Sequence, residues 1–219
     1  MRVIIIGLSS YGIFLTEYLQ DHEIEIVALD KDEERMNSVK ALVSRPIIGN
    51  ATNVEVLQEL GVEEADTIIV ALDSLETSVI CVLHLQELHA SHIIAQAING
   101  DHIKILQLLK VHDIVFPAKD MAQVCAQRLL HPNVLDIKTI TPLESLIEFT
   151  APPAFVGQSL DELDLSATYH AHLLFIKSSG TDEVLLPAPE YRIQSGDILC
   201  VLGQNKALTA LEKLRNHKD

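Results

Sequence analysis

Basic residues are scarce in this chain: 16 Lys and Arg stand against 31 Asp and Glu, a formal charge of -15. A surface that neutralises nucleic-acid phosphates needs a basic stripe, so nucleic acid is not an expected partner. Aromatic residues are also few, at 4%, although 48% of the chain is hydrophobic. The interior must then be packed with Leu, Ile, Val and Ala, the composition of parallel strands covered by helices rather than of a β-sandwich. Cys81, Cys125 and Cys200 are odd in number, widely spaced and outside any C-x-x-C. They imply neither a disulfide framework nor a zinc site and read as reduced core residues. No run approaches the roughly 20 apolar residues that span a bilayer. Val3 to Ile6 is closed at once by Gly7, so it is neither a membrane helix nor a signal sequence, and a cytosolic protein is expected.

What is present is an alternation. Short β-branched runs at Arg2 to Ile6, Glu25 to Asp30, Pro46 to Ile48, Asp66 to Ala71, His92 to Gln96 and Asp113 to Phe116 are separated by helical stretches. This order predicts a Rossmann-like, doubly wound parallel sheet, with ligands at the carboxyl ends of the strands where the strand order reverses. Ala118 to Leu130 carries a stripe of Met121, Ala122, Cys125, Ala126, Leu129 and Leu130 and reads as a helix, stopped by His131-Pro132-Asn133. Beyond it, Ser145 to Thr150, Ala171 to Lys177, Glu183 to Leu186 and Asp197 to Leu202 read as strands of an antiparallel or mixed sheet, with turns at Ala151-Pro152-Pro153 and Gln194 to Asp197. A last helix is expected over Lys206 to Arg215. The chain thus divides into an α/β domain over 1–136 and a second, smaller α+β domain over 137–219.

The first strand-to-helix turn reads Gly7-Leu-Ser-Ser-Tyr-Gly12, with Asp30 closing the next strand and Lys31 beside it. This is the G-x-G-x-x-G layout with Ser9 in the middle position. Glycine there lets the backbone approach a pyrophosphate, the helix N-terminus offers N–H donors, and the acid accepts a ribose hydroxyl. Gly7, Ser9, Ser10, Tyr11, Gly12, Asp30 and Lys31 are therefore candidate nucleotide-binding residues. The plainer reading is a tight turn held by two glycines, with Asp30 capping the helix that begins near Asp32. Asn50-Ala51-Thr52 after the third strand and Leu72-Asp73-Ser74 after the fourth lie on the same rim, and Asn50, Ala51, Thr52, Ala71 and Leu72 complete the candidate set. Thr52 with Glu55 and Asp73 with Glu76 also fit the capping-box spacing. His84, His89 and His92 do not reproduce the i, i+4 pair of a helical metal site, and His170 with His172 on one strand face lacks a third ligand. No nucleophile-elbow motif and no acid-base pair points to catalysis.

Several passages carry a resemblance over the whole length: Val3 to Gly12, Ile26 to Asp30, Ile48-Gly-Asn-Ala-Thr52, Thr67 to Leu72 and Phe116 to Met121, then Phe155 to Leu160, Asp164-Leu165, Leu186 to Glu190 and Gly196 to Gly203. The chain resembles the peripheral regulatory subunits of the Trk and Ktr potassium transporters, which join an RCK (or KTN) domain to a TrkA-C domain. The resemblance implies a non-enzymatic, cytoplasmic subunit bound to the inner face of the membrane through a potassium-transporter partner. It implies homodimers that assemble into an octameric ring, with 118–130 as the crossover helix exchanged between protomers. Ser9 and Ser10 stand where the family's G-x-G-R-F-G motif has a glycine and a phosphate-binding arginine. Gln96 replaces a lysine of many relatives, and Ala118 a glutamate linked to ATP and cation. A triphosphate is then poorly compensated, which favours AMP, ADP or NAD(H) over ATP, or a site with a purely structural role. Ser166 occupies the place of an arginine found in relatives that bind cyclic di-AMP, which is not expected here. Two other classes remain open: an NAD(P)-dependent oxidoreductase, and a structural oligomerisation module for another membrane transporter.

Overall fold

The computed structural model describes residues 1–130, 134–180, 183–206, 208 and 211. Its strands are β1 (Arg2–Ile6), β2 (Glu25–Asp30), β3 (Arg45–Ile48), β4 (Thr67–Val70), β5 (Ile93–Gln96), β6 (Asp113–Val115), β7 (Val134–Thr139), β8 (Glu144–Thr150), β9 (Ala171–Lys177), β10 (Val184–Leu185) and β11 (Ile198–Gln204). Its helices are α1 (Ser10–Leu19), α2 (Glu33–Val39), α3 (Val54–Glu59), α4 (Leu75–Glu87), α5 (Gly100–Leu108), α6 (Pro117–Leu130), α7 (Leu160–Leu163) and α8 (Leu165–Tyr169). Two compact units divide within α6, Met1–Met121 and Ala122–Asp219.

The first unit holds a six-stranded sheet in the order β3-β2-β1-β4-β5-β6, every neighbouring pair parallel. The period of two along each strand divides its side chains between two cores. Val3, Ile5, Ile26 and Ala28 pack with Met36 and Val39 on the α1–α2 face. Ile4, Ile6, Val27 and Leu29 pack with Leu57, Val82, Leu85 and Leu106 on the α3–α5 face. The strand order reverses between β1 and β4, so the crevice outside their carboxyl ends is where the topology opens a site. The borders of the sheet are β3, which contains Pro46, and the three-residue β6.

The second unit is an antiparallel five-stranded sheet, β10-β9-β11-β8-β7, accompanied by the short helices α7 and α8. Strand β7 was not anticipated: it pairs with β8, so the junction expected at 136 falls inside a strand of the second sheet. The turn around Gly196 is pinned by Asp197, fully buried, whose carboxylate accepts from Tyr191 Oη and the amides of Gln194 and Ser179. His170 is not on a strand. It follows α8 with a positive φ of 51°, so it does not share a strand face with His172. Cys81 and Cys200 are buried but Cys125 is exposed on α6, contrary to the expectation of three core thiols. Burial pushes the thiol of Cys81 up to about 12. The stop at His131-Pro132-Asn133 and most of the helix expected over Lys206 to Arg215 lie outside the described residues.

His102 in the first turn of α5 is fully buried. Its Nδ1 accepts from the Ile98 amide at 3.3 Å, and its Nε2 has no partner among the described residues. Burial lowers its pKa from the ordinary 6.5. Below 6.5 the unfolded chain therefore takes up the proton before the folded one, so the stability that the neutral ring supports is complete above that pH and is lost as the pH falls. Urea midpoints measured from neutral to mildly acid pH are expected to decline, and His102→Gln, which keeps an acceptor but does not titrate, is expected to flatten that decline.

Candidate functional site

A cavity of about 650 Å³ opens at the carboxyl ends of β1 to β4. Of the residues expected from sequence, Gly7, Asp30, Lys31, Asn50, Ala51, Thr52, Ala71 and Leu72 line it. Ser9, Ser10, Tyr11 and Gly12 are not among its lining residues. They build the turn that frames it. Gly7 has φ +94°, and a Cβ there would lie 2.5 Å from the Ala71 carbonyl oxygen. A Cβ on Gly12 would lie 2.4 Å from the Gly7 oxygen, so both glycines exist to bring β1, β4 and α1 together. Tyr11 packs on the α1–α2 core, and Ser10 is exposed.

Several amides of the turn are already engaged. Leu8 N–H donates to Asp30 Oδ2 at 2.5 Å, Ser9 N–H to the Ala71 oxygen at 3.4 Å, and Gly12 N–H to Ser9 Oγ at 3.4 Å. Ser9 is only 3% exposed; it is the N-cap of α1, and its hydroxyl donates to Gln96 Oε1 at the end of β5, at 2.8 Å. Ser9 thus caps α1 by accepting from the Gly12 amide.

Asp30 is 7% exposed. Besides Leu8 N–H it accepts from Asp32 N–H at 2.8 Å, so it anchors the turn after β1 and the entry to α2 together. A carboxylate has about four acceptor sites, which leaves capacity for a ribose hydroxyl from the cavity side. Asp32, not Asp30, caps α2. The other two expected caps also shift by one residue. Asn53 caps α3 and Ser74 caps α4, because these residues, not their predecessors, leave the strand ends with extended backbone. Thr52 instead donates its amide and hydroxyl to Asn50 Oδ1, at 3.0 and 2.9 Å, and closes the loop after β3.

Asp73 does something the sequence did not disclose. Its Oδ2 pairs with Arg35 Nη1 at 2.7 Å, and the same nitrogen donates to the Leu8 oxygen at 3.4 Å. Both side chains line the cavity, so the pair is a bridge at its rim between α2 and the loop before α4. The hydrogen bond to Asp73 raises the pKa of Arg35. At 42% and 55% exposure of the two side chains, such a bridge contributes at most about 1 kcal/mol and is readily exchanged. The signal in the sequence was only an arginine in the turn following an N-cap, which points at strand carboxyl ends once the sheet is parallel. The ionisable lining comprises Asp30, Asp32, Asp73 and Glu76 against Lys31 and Arg35. Ala51, Leu72 and Ile80 provide apolar surface, backed by the buried Leu29. This set fits a flat apolar base with a hydroxylated sugar better than a polyphosphate, whose charge the four carboxylates oppose. Among the described residues no group of three or more His, Cys, Asp or Glu is placed to hold a metal.

The closeness of α1 to β4 predicts that Gly12→Ala forces the helix off the strand end at a cost of about 2 kcal/mol, to be read as a lowered urea midpoint.

The TrkA-N domain family matches residues 3–117, and the TrkA-C domain family residues 145–216. Ktr system potassium uptake protein C of Bacillus subtilis (strain 168) is 32% identical over 210 residues, 95% of this chain and 95% of that protein. Ktr system potassium uptake protein A of the same organism is 32% identical over 209 residues, covering 95% and 94%. Among solved structures, a GsuK channel bound to NAD superposes with a TM-score of 0.54 at 19% identity, over 98% of this chain and 38% of that one, a likeness of fold. No helix among the described residues is long and apolar enough to cross a membrane. The parallel sheet, the antiparallel unit and the near full-length identity agree: this chain belongs to the family in which a TrkA-N domain is followed by a TrkA-C domain.

Proposed function

We propose that this protein is a regulatory subunit of a Trk/Ktr-type potassium uptake system, acting by binding an adenine nucleotide rather than by turnover. The observation that carries the reading is the cavity at the reversal point of the sheet, walled by the buried Asp30 and by Leu29, Ala51 and Leu72. Its surplus of carboxylates favours AMP, ADP or NAD(H) over ATP. A ligand shifts an equilibrium only by binding one state better than another, and the Arg35–Asp73 bridge is a contact that a ligand in the cavity can exchange. The subunit works at the cytoplasmic face, held there by a membrane potassium-transporter partner.

The same reading includes a homodimer that assembles into an octameric ring. Helix α6 supports it: Met121 is 62% and Leu129 77% exposed, with Val124 and Cys125 also uncovered. An exposed apolar stripe of this kind is normally covered by a partner.

Thermal shift with AMP, ADP, ATP, NAD⁺ and NADH tests the site. An adenine nucleotide of low charge at 100 times its dissociation constant is expected to add about 2.7 kcal/mol, and Asp30→Asn, measured against its own baseline, to abolish the gain. No shift with any of them would remove the nucleotide from the proposal. Light scattering tests the assembly, with Met121→Lys expected to lower the mass of the wild-type oligomer. Co-purification with a membrane potassium-transporter subunit tests the partner.

A further inference from the structure

A dinucleotide lies across the reversal point of a doubly wound sheet, one half over the ends of the first strands and the other over the ends of the later ones, with the pyrophosphate against the turn after β1. In this protein the cavity occupies the first of these places. The cavity is lined from the ends of β1, β2, β3 and β4 and the start of α4, with no residue of β5 or β6. On the far side, Ser9 Oγ reaches past the end of β4 to Gln96 Oε1 at 2.8 Å, while the Ser9 amide is held by the Ala71 oxygen at 3.4 Å. The two side chains span the track from the turn to β5. The position at which backbone must be bare for a pyrophosphate carries a buried hydroxyl that is already bonded on both sides, to Gln96 and to Gly12 N–H.

We infer that the Ser9–Gln96 hydrogen bond closes the crevice on the β5 side and restricts the site to a single nucleoside bearing at most one phosphate, excluding a dinucleotide. The inference rests on the proposal that the cavity binds an adenine nucleotide, and it names the class: adenosine or AMP. The acid surplus of the lining disfavours a longer phosphate chain. Of the two cations in the lining, Lys31 and Arg35, Arg35 becomes available to a single phosphate by exchange from Asp73.

AMP and NAD⁺ share the AMP moiety, so comparing them isolates the second half of the ligand. Titration calorimetry on the full chain is expected to give AMP at least about tenfold tighter binding than NAD⁺, a difference of 1.4 kcal/mol. Gln96→Ala, at a half-exposed strand end, and Ser9→Gly are each expected to bring NAD⁺ to within about threefold of AMP. Gln96→Ala leaves the turn intact, so it decides the matter even if Ser9→Gly does not fold. Wild-type protein that binds NAD⁺ as well as AMP overturns the restriction while leaving the nucleotide site standing. Wild-type selectivity that neither substitution changes overturns the role of the pair. Absence of binding to both ligands overturns the nucleotide site itself and this inference with it.

Discussion

The carboxylate of Asp30 is the contact around which the first domain is organised. It lies at the end of β2 and is nearly excluded from solvent, yet it holds two backbone amides, that of Leu8 just beyond β1 and that of Asp32 at the entry to α2. A buried carboxylate is tolerated only when hydrogen-bonded, and here those bonds set the path of the chain on both sides of the crevice. The turn after β1, the first turn of α2 with Arg35, and thus the rim of the cavity all follow from that one side chain. The proposed ligand contact and the group that shapes its site are here the same atoms.

Charge runs through the rest of the argument. The chain carries -15 in total, and its cavity repeats that imbalance on a small scale. Binding energy must then come from apolar surface and directional hydrogen bonds rather than from ion pairing. This suits the proposed nucleotide site, because each added phosphate would be opposed by fixed carboxylates. The rim bridge between Arg35 and Asp73 is solvent-exposed and weak, so it is placed where exchange costs little.

Much of this was legible. The β-branched runs located all six strands of the parallel sheet, most plainly the central β1, β2 and β4, because strands buried on both faces need uninterrupted apolar residues. The glycines and Asp30 announced the crevice through their order along the chain. Caps were read one residue early at Thr52 and Asp73, since Asx and hydroxyl residues follow one another there and only backbone geometry separates cap from neighbour. Strand β7 escaped because Val134-Leu-Asp-Ile-Lys-Thr139 is an edge strand with most side chains in solvent. The contacts Arg35–Asp73 and Ser9–Gln96 join residues far apart in sequence, and no local pattern records them.

The borders of the parallel sheet bear on how such molecules can be crowded together. One border is three residues long, and the other contains Pro46, which has no N–H to offer. Both features blunt these borders against strand addition, with its slow and often irreversible growth. Copies that gather at high local concentration can then meet through helices and loops. Contacts of that kind form and part without opening the sheet, which keeps an assembly free to change shape and recover it.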